Sequence, residues 1–88
     1  MSDREGAIER QVRGFLKEIA PHLAGTIEAL DARARLWEVM DSLSLLDLVE
    51  SLEASFKITI EAIDVTPDHF HTIQSITRFI ARRTQPVA

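Results

Sequence analysis

The side chain best placed for chemistry is a serine that follows an aspartate at the head of an apolar segment. Asp41 and Ser42 are both favourable residues at the start of a helix, and Ser42 offers a hydroxyl group. The first N–H groups of a helix and the positive end of its dipole favour a phosphate at that position. Ser42 therefore lies at a position that suits a phosphate, and its hydroxyl is also a candidate nucleophile.

The residues behind Ser42 predict an amphipathic helix that extends to Phe56. Its apolar stripe recurs at helical spacing and consists of Leu45, Leu48 or Val49, Leu52 and Phe56. Leu43 and Leu46 widen the apolar surface beyond what one core face needs. An acidic side follows at spacings of three residues, with Asp47, Glu50 and Glu53. This combination predicts a helix that packs on one side. Its acidic side is either a docking face or an ordinary solvated face, and composition alone favours the solvated face.

A catalytic role for Ser42 would need a base that is itself oriented by a third group. The three histidines, His22, His69 and His71, have no neighbouring carboxylate pattern typical of a triad, and no Gly-x-Ser-x-Gly motif is present. His69 and His71 also lack a carboxylate set with the spacing of a metal site, so we interpret them as solvated. The sequence thus predicts a protein that is not an enzyme and holds no metal.

Length and composition predict one small soluble domain. The 88 residues form a single domain, with an ordered core expected from about residue 4 to about residue 84. The chain has no cysteine, which excludes disulfides and thiolate metal sites. No apolar run has the length of a membrane span and the charged N-terminus has no signal-peptide pattern, so we expect a cytoplasmic monomer without membrane contact.

Charge is unevenly distributed along the chain, whose net charge is −4. Residues 38–68 contain eight acidic residues against one basic residue, Lys57, whereas residues 69–88 contain three arginines and no acid. The acidic segment surrounds Ser42 and the helix behind it. It argues against nucleic acid at this surface and favours a basic protein partner.

The remaining segments predict an all-α fold, a small four-helix bundle of three main helices and a short third one. The first helix is expected from about Asp3 to Ala20, because Pro21 disfavours a helical conformation there. Thr66-Pro67 predicts the start of the short helix, and Thr72 the start of the last one. Four apolar residues mark the buried side of that last helix: Ile73, Ile76, Phe79 and Ile80. Arg82 and Arg83 fall in its last turn, with Pro86 beyond it.

A long loop, from Pro21 to Met40, joins the first two main helices. Thr26 could cap a short helix over residues 27–33, and a loop without that helix is equally compatible with the sequence. The apolar residues Leu36, Trp37 and Val39 are expected to anchor the loop on the bundle. Ile58 and Ile60 alternate with Thr59 but have no partner strand, so they are interpreted as an apolar connection.

Asp41-Ser42-Leu43 at the head of the helix that continues to Leu52-Glu53 and Phe56 resembles the acyl and peptidyl carrier proteins. The resemblance extends through the segment from Asp41 to Ile60. It continues with Asp64, Thr66-Pro67, Phe70, Thr72-Ile73 and Ile76, which look like the later helices of a free-standing carrier. It therefore covers the second half of the chain closely and the first half by length and position alone.

By this resemblance, Ser42 would carry 4′-phosphopantetheine, the cofactor whose thiol holds an acyl or aminoacyl cargo as a thioester. Asp41 would belong to the attachment motif and cap the helix. The implied partners are a phosphopantetheinyl transferase, a cargo-loading ligase or acyltransferase, and downstream biosynthetic enzymes. The residues expected to dock them are Leu43, Asp47, Glu50, Glu53, Glu61 and Asp64, and Asp68 could extend this set.

Three positions depart from the carrier pattern. Val39 replaces the usual glycine, Ser44 stands where fatty-acid carriers often have an acid, and Glu50 replaces an apolar partner-facing residue. These differences favour a specialised fatty acid, polyketide or nonribosomal peptide pathway over the housekeeping fatty-acid carrier. The alternative is an unmodified helical module with a carrier-like fold that only docks to a partner. A small hydrolase that uses Ser42 ranks last.

Overall fold

The computed structural model describes residues 3–84, without the side chains of Trp37, Ser42, Pro67 and Asp68. Within this range the chain is helical and contains no strand, so the predicted all-α class is confirmed. Residues 58–60 belong to no helix and pair with no strand, in agreement with their interpretation as a connection. The expectations for the Trp37, Pro67 and Asp68 side chains and for Pro86 lie outside the described residues.

Three long helices and two short ones make up the described part of the fold. They are α1 (Asp3–Ile19), α2 (Ala24–Ala29), α3 (Ser42–Phe56), α4 (Pro67–Phe70) and α5 (Ile73–Arg83). Three single turns of 3-10 helix lie between them, at Pro21–Leu23, Leu36–Glu38 and Ala62–Asp64. The four predicted helices correspond to α1, α3, α4 and α5, and α2 interrupts the long loop.

The helix in the loop forms, but its predicted start was wrong. It begins at Ala24, directly after the turn that Pro21 opens, so Thr26 lies inside α2 as an exposed residue and caps nothing. The helix ends at Ala29 because Leu30 adopts an extended conformation, with ψ of 130°. Two side-chain contacts hold α2 on α1: Arg13 donates to the Ile27 carbonyl at 2.7 Å, and Lys17 pairs with Glu28 at 2.5 Å.

The core lies where α1 packs against α2, α3 and α5. The predicted stripes supply most of it. The buried apolar residues of the three long helices are Ile8, Val12, Leu16, Leu45, Leu48, Val49, Leu52, Ile73, Ile76, Phe79 and Ile80. Phe56, which was expected in the core, is partly buried at its edge, as are Phe15 and Ile19 of α1. In the long loop, Leu36 is buried and Val39 partly buried, as anchoring requires.

The helix ends show one cap that forms as predicted, one left-handed residue and one cap hydrogen bond that is missing. Thr72 caps α5, where its hydroxyl accepts from the Ser75 N–H at 3.0 Å. Lys57 ends α3 in the left-handed conformation, with φ of 54°. Thr66 occupies the cap position of α4, yet its side chain makes no capping hydrogen bond, so the expected side-chain cap was wrong.

In residues 3–84 no helix is both long and apolar enough to cross a membrane.

Candidate functional site

Backbone hydrogen bonds fix the segment that leads to Ser42 to the residues where α4 meets α5. The Leu36 N–H donates to the His71 carbonyl at 2.9 Å, and the Gln74 N–H donates to the Ala32 carbonyl at 2.8 Å. Leu36 and Met40, which follows it just before Asp41, also bury their side chains in the core. The chain therefore enters α3 from a position that the junction between α4 and α5 determines.

Asp41 caps α3, as the sequence predicted. Its backbone is extended, with φ of −89° and ψ of 175°, and its Oδ1 accepts from the Ser44 N–H at 2.8 Å. This hydrogen bond stabilises the carboxylate and lowers the pKa of Asp41 below its ordinary value of 3.8. The exposed carboxylate is thus turned onto the first turn of the helix, where it satisfies one N–H that has no partner within the helix.

Ser42 is the first residue of α3, and its side chain lies outside the described residues. Its position is nevertheless defined by its neighbours. Asp41 before it and Leu43 after it are both exposed, so the backbone at this point lies at the surface. The predicted attachment role of Ser42 stays a prediction.

An outward face of α3 continues from this point, and we call it the α3 face. It consists of Leu43, Leu46, Asp47 and Glu50, all exposed. Leu43 is 73% exposed and Leu46 is 52% exposed, although both are large apolar residues. Spacings of three and four residues place the four side chains along one side of the helix, opposite the buried stripe. The face therefore combines two apolar contacts with two acidic ones.

Two of the other predicted docking residues, Glu53 and Asp64, have carboxylates that already bind groups within the chain. The Glu53 carboxylate accepts from the Ile60 N–H at 3.0 Å. Asp64 accepts from the Glu61 N–H at 3.1 Å and pairs with Arg83 at 2.8 Å. Glu61 itself is exposed. Glu53 and Asp64 thus stabilise the connection between α3 and α4, and their predicted role in docking stays untested.

The histidines do not assemble into a site, and the interpretation of His69 as solvated was wrong. His69 is partly buried, because its ring packs on Phe79 with 4.9 Å between the centroids. His71 is also partly buried, and its carbonyl holds the long loop through Leu36. Among the described side chains, no three His, Asp or Glu residues are grouped so that they could hold a metal ion.

Two structural features were missed in the sequence. Ile63 is 79% exposed on the connection between α3 and α4, where an isolated apolar residue gives no periodic signal. Arg83 was expected to interact with the end of its own helix, but it pairs with Asp64 and lies over the Phe79 ring, 4.8 Å from the centroid. A partner 19 residues away along the chain cannot be inferred from local spacing.

The chain is similar over nearly its whole length to a curated protein, aminoacyl carrier protein 1 of Bradyrhizobium diazoefficiens. The two are 28% identical over 86 residues, which cover 97% of this chain and 90% of the relative. This similarity agrees with the resemblance to the carrier proteins, and it spans the first half of the chain as well as the second. No protein-family model and no solved structure matches the chain.

Proposed function

We propose that this chain is a carrier protein whose Ser42 holds 4′-phosphopantetheine and, through it, an acyl or aminoacyl cargo. The observation that carries the proposal is the Asp41-capped start of α3 at Ser42, in a chain similar over 97% of its length to a protein named as an aminoacyl carrier. That name favours an aminoacyl cargo over a fatty-acyl one. The departures at Val39, Ser44 and Glu50 likewise favour a specialised biosynthetic pathway.

The residues around Ser42 fit such a group. Ser42 begins a helix of 15 residues, whose positive dipole end favours a phosphate. Both neighbours are exposed, which leaves room for a long flexible arm and for the enzyme that attaches it. The nearest carboxylate, that of Asp41, already accepts from the Ser44 N–H, so part of its charge is compensated before a phosphate is added.

In this proposal the chain positions and presents, and it does not catalyse. The Ser42 oxygen forms a phosphodiester with the phosphopantetheine part of coenzyme A, adenosine 3′,5′-bisphosphate leaves, and the serine proton is lost. The transferase and its magnesium ion perform that step. When bound, the arm supplies the thiol that carries cargo as a thioester, which a chain without cysteine cannot supply itself. Asp41 and the segment fixed by Leu36 hold the attachment point in place.

Partner enzymes would dock on the α3 face. Leu43 and Leu46 give apolar contacts beside Ser42, and Asp47 and Glu50 attract a basic surface. The docking residues inferred from the carrier resemblance also include Glu61, which is exposed, and Glu53 and Asp64, which would first have to leave their partners in the chain. We expect the transferase, a loading ligase or acyltransferase, and the enzymes that receive the cargo to read this surface on a cytoplasmic monomer.

Enzymatic modification of the purified protein tests the proposal. The protein is incubated with a broad-range phosphopantetheinyl transferase, coenzyme A and magnesium, and its intact mass is measured. We expect a gain of one phosphopantetheinyl group in the wild type and none in Ser42→Ala. Ser44→Ala is the matched control, because it removes a hydroxyl two residues away and keeps the N–H that Asp41 accepts from.

Two outcomes would reject the proposal. No mass gain in the wild type would favour the unmodified interaction module, whose partner binding should be insensitive to Ser42→Ala. A gain that persists in Ser42→Ala would place the modification elsewhere. Turnover of an activated ester without partner or cofactor would instead support a hydrolase.

A further inference from the structure

The Arg83 side chain makes three contacts: with Asp64, with Thr59 and with Phe79. One guanidinium nitrogen donates to Asp64 Oδ1 at 2.8 Å, and the other donates to the Thr59 carbonyl at 3.3 Å. The guanidinium also lies over the Phe79 ring at 4.8 Å. A single side chain at the end of α5 thus contacts both halves of the connection between α3 and α4.

Apart from Arg83, the connection is attached to the bundle through Ile60, which is buried, and through Ile58 and Val65, which are partly buried and pack against the core. Two of its hydrogen bonds stay near α3 or within the connection itself: Ile60 N–H to Glu53, and Glu61 N–H to Asp64. Ile60 is the one buried residue between Lys57 and Thr66. The helix that follows, α4, has four residues and packs mainly on α5, where the Phe70 and Phe79 rings lie 5.5 Å apart.

We propose that Arg83 is a latch that holds residues 58–66 against α5, and that this segment opens as a unit when the Arg83–Asp64 pair is broken. Local opening is expected where apolar burial is small and the closing contacts are few. Arg83 meets this condition because its fork-shaped guanidinium joins two points of the segment at once. The inference concerns the fold and does not depend on modification of Ser42.

The latch gives Asp64 two competing roles. Its carboxylate side chain is 16% exposed while it pairs with Arg83, so a basic side chain of a partner can reach it fully only by displacing Arg83. Such a partner would bind the open segment better than the closed one and would therefore shift the equilibrium toward opening. Docking at Asp64 and opening of residues 58–66 are then the same event.

The two lysines of the chain allow a direct test by native-state proteolysis with a lysine-specific endoprotease. Lys57 lies at the start of the segment, and Lys17 lies within α1. Cleavage after Lys57 reports opening of the segment, whereas cleavage after Lys17 reports loss of the bundle. Cleavage rates follow the population of the open form when opening and closing are fast.

We expect Arg83→Met to accelerate cleavage after Lys57 by about tenfold, since a charge-assisted contact is lost from a partly exposed pair. The rate after Lys17 should stay unchanged. Asp64→Asn should give a smaller acceleration, because Arg83 keeps its contacts with the Thr59 carbonyl and the Phe79 ring. The double variant should be about as fast as Arg83→Met, because the Arg83–Asp64 pair is already lost in that single variant. Arg82→Met is the matched control on the neighbouring exposed arginine and should behave as the wild type.

Two results would overturn the proposal. Equal rates after Lys57 in Arg83→Met and Arg82→Met would show that Arg83 does not hold the segment. Equal acceleration after Lys57 and Lys17 would show that Arg83 stabilises the bundle as a whole and not a separate unit.

Discussion

Replacement of Thr77 by valine should stabilise this protein, although it removes a polar group. Thr77 is 1% exposed on α5, and its Oγ1 has no hydrogen-bond partner among the described residues. A buried hydroxyl without a partner costs roughly 1–3 kcal/mol, because it loses its hydrogen bonds to water on folding. Valine has nearly the same shape and a similar helix propensity, so packing should be kept.

The expected gain for Thr77→Val is about 1 kcal/mol in the free energy of unfolding. For a domain of this size, that corresponds to a rise in Tm of about 4–8 °C. Urea unfolding followed by far-UV circular dichroism measures it as a higher midpoint with an unchanged slope. The dependence of the unfolding free energy on urea must stay unchanged, because only then can the two midpoints be compared as a difference in stability.

Thr72→Val is the matched control, since it makes the same chemical change on the same helix. There the hydroxyl caps α5 by accepting from the Ser75 N–H at 3.0 Å. Loss of that cap should lower stability by about 1 kcal/mol, opposite in sign to Thr77→Val. A Thr77→Val protein no more stable than the wild type would refute the reasoning. It would indicate that the hydroxyl has a partner, such as a water in the surface cleft that Thr77 lines with Gln74 and Arg78.

Two further predictions concern the ends of α3. The hydrogen bond from Ser44 lowers the pKa of Asp41, so the stability it adds is complete above the unfolded pKa and is lost as the pH falls through the lowered one. Asp41→Asn does not titrate at this position, so any stability advantage of the wild type over it should shrink below about pH 4 in unfolding experiments at several pH values. At the other end, Lys57→Gly should stabilise by about 1 kcal/mol in urea unfolding, because glycine adopts positive φ without a steric cost. An unchanged midpoint would show that the Lys57 backbone is not strained.

The start of α3 could be predicted from the sequence because its determinants are local. The Asp41 cap involves residues three apart, and the buried stripe of α3 from Leu45 to Leu52 follows from helical periodicity. The same periodicity indicated that Leu43 and Leu46 exceed what the core needs, and both are exposed. Capping and amphipathicity depend on a few neighbouring residues, so a single sequence is enough to predict them.

The limits of local reasoning appear at helix ends and short helices. Thr26 has the residue type of a cap but lies inside α2, which begins at Ala24 after the turn at Pro21–Leu23. Thr66 does precede α4 as predicted, but its side chain makes no capping hydrogen bond. Thr72 has the same type and does cap, with Ser75 three residues on completing a reciprocal pair of hydrogen bonds. The residue type of a cap therefore does not by itself show whether its side chain makes the capping hydrogen bond.

The sequence by itself determined the all-α class, the three long helices, the acidic character of the middle segment and the candidate role of Ser42. Tertiary structure alone decided which charged residues remain available to partners. Asp47 and Glu50 stay exposed, whereas Asp64 is paired with Arg83 and Glu53 holds the Ile60 N–H. The physical reason is that net charge and helix periodicity depend on residues close together in the sequence. The partner of a carboxylate depends instead on which distant segment packs beside it.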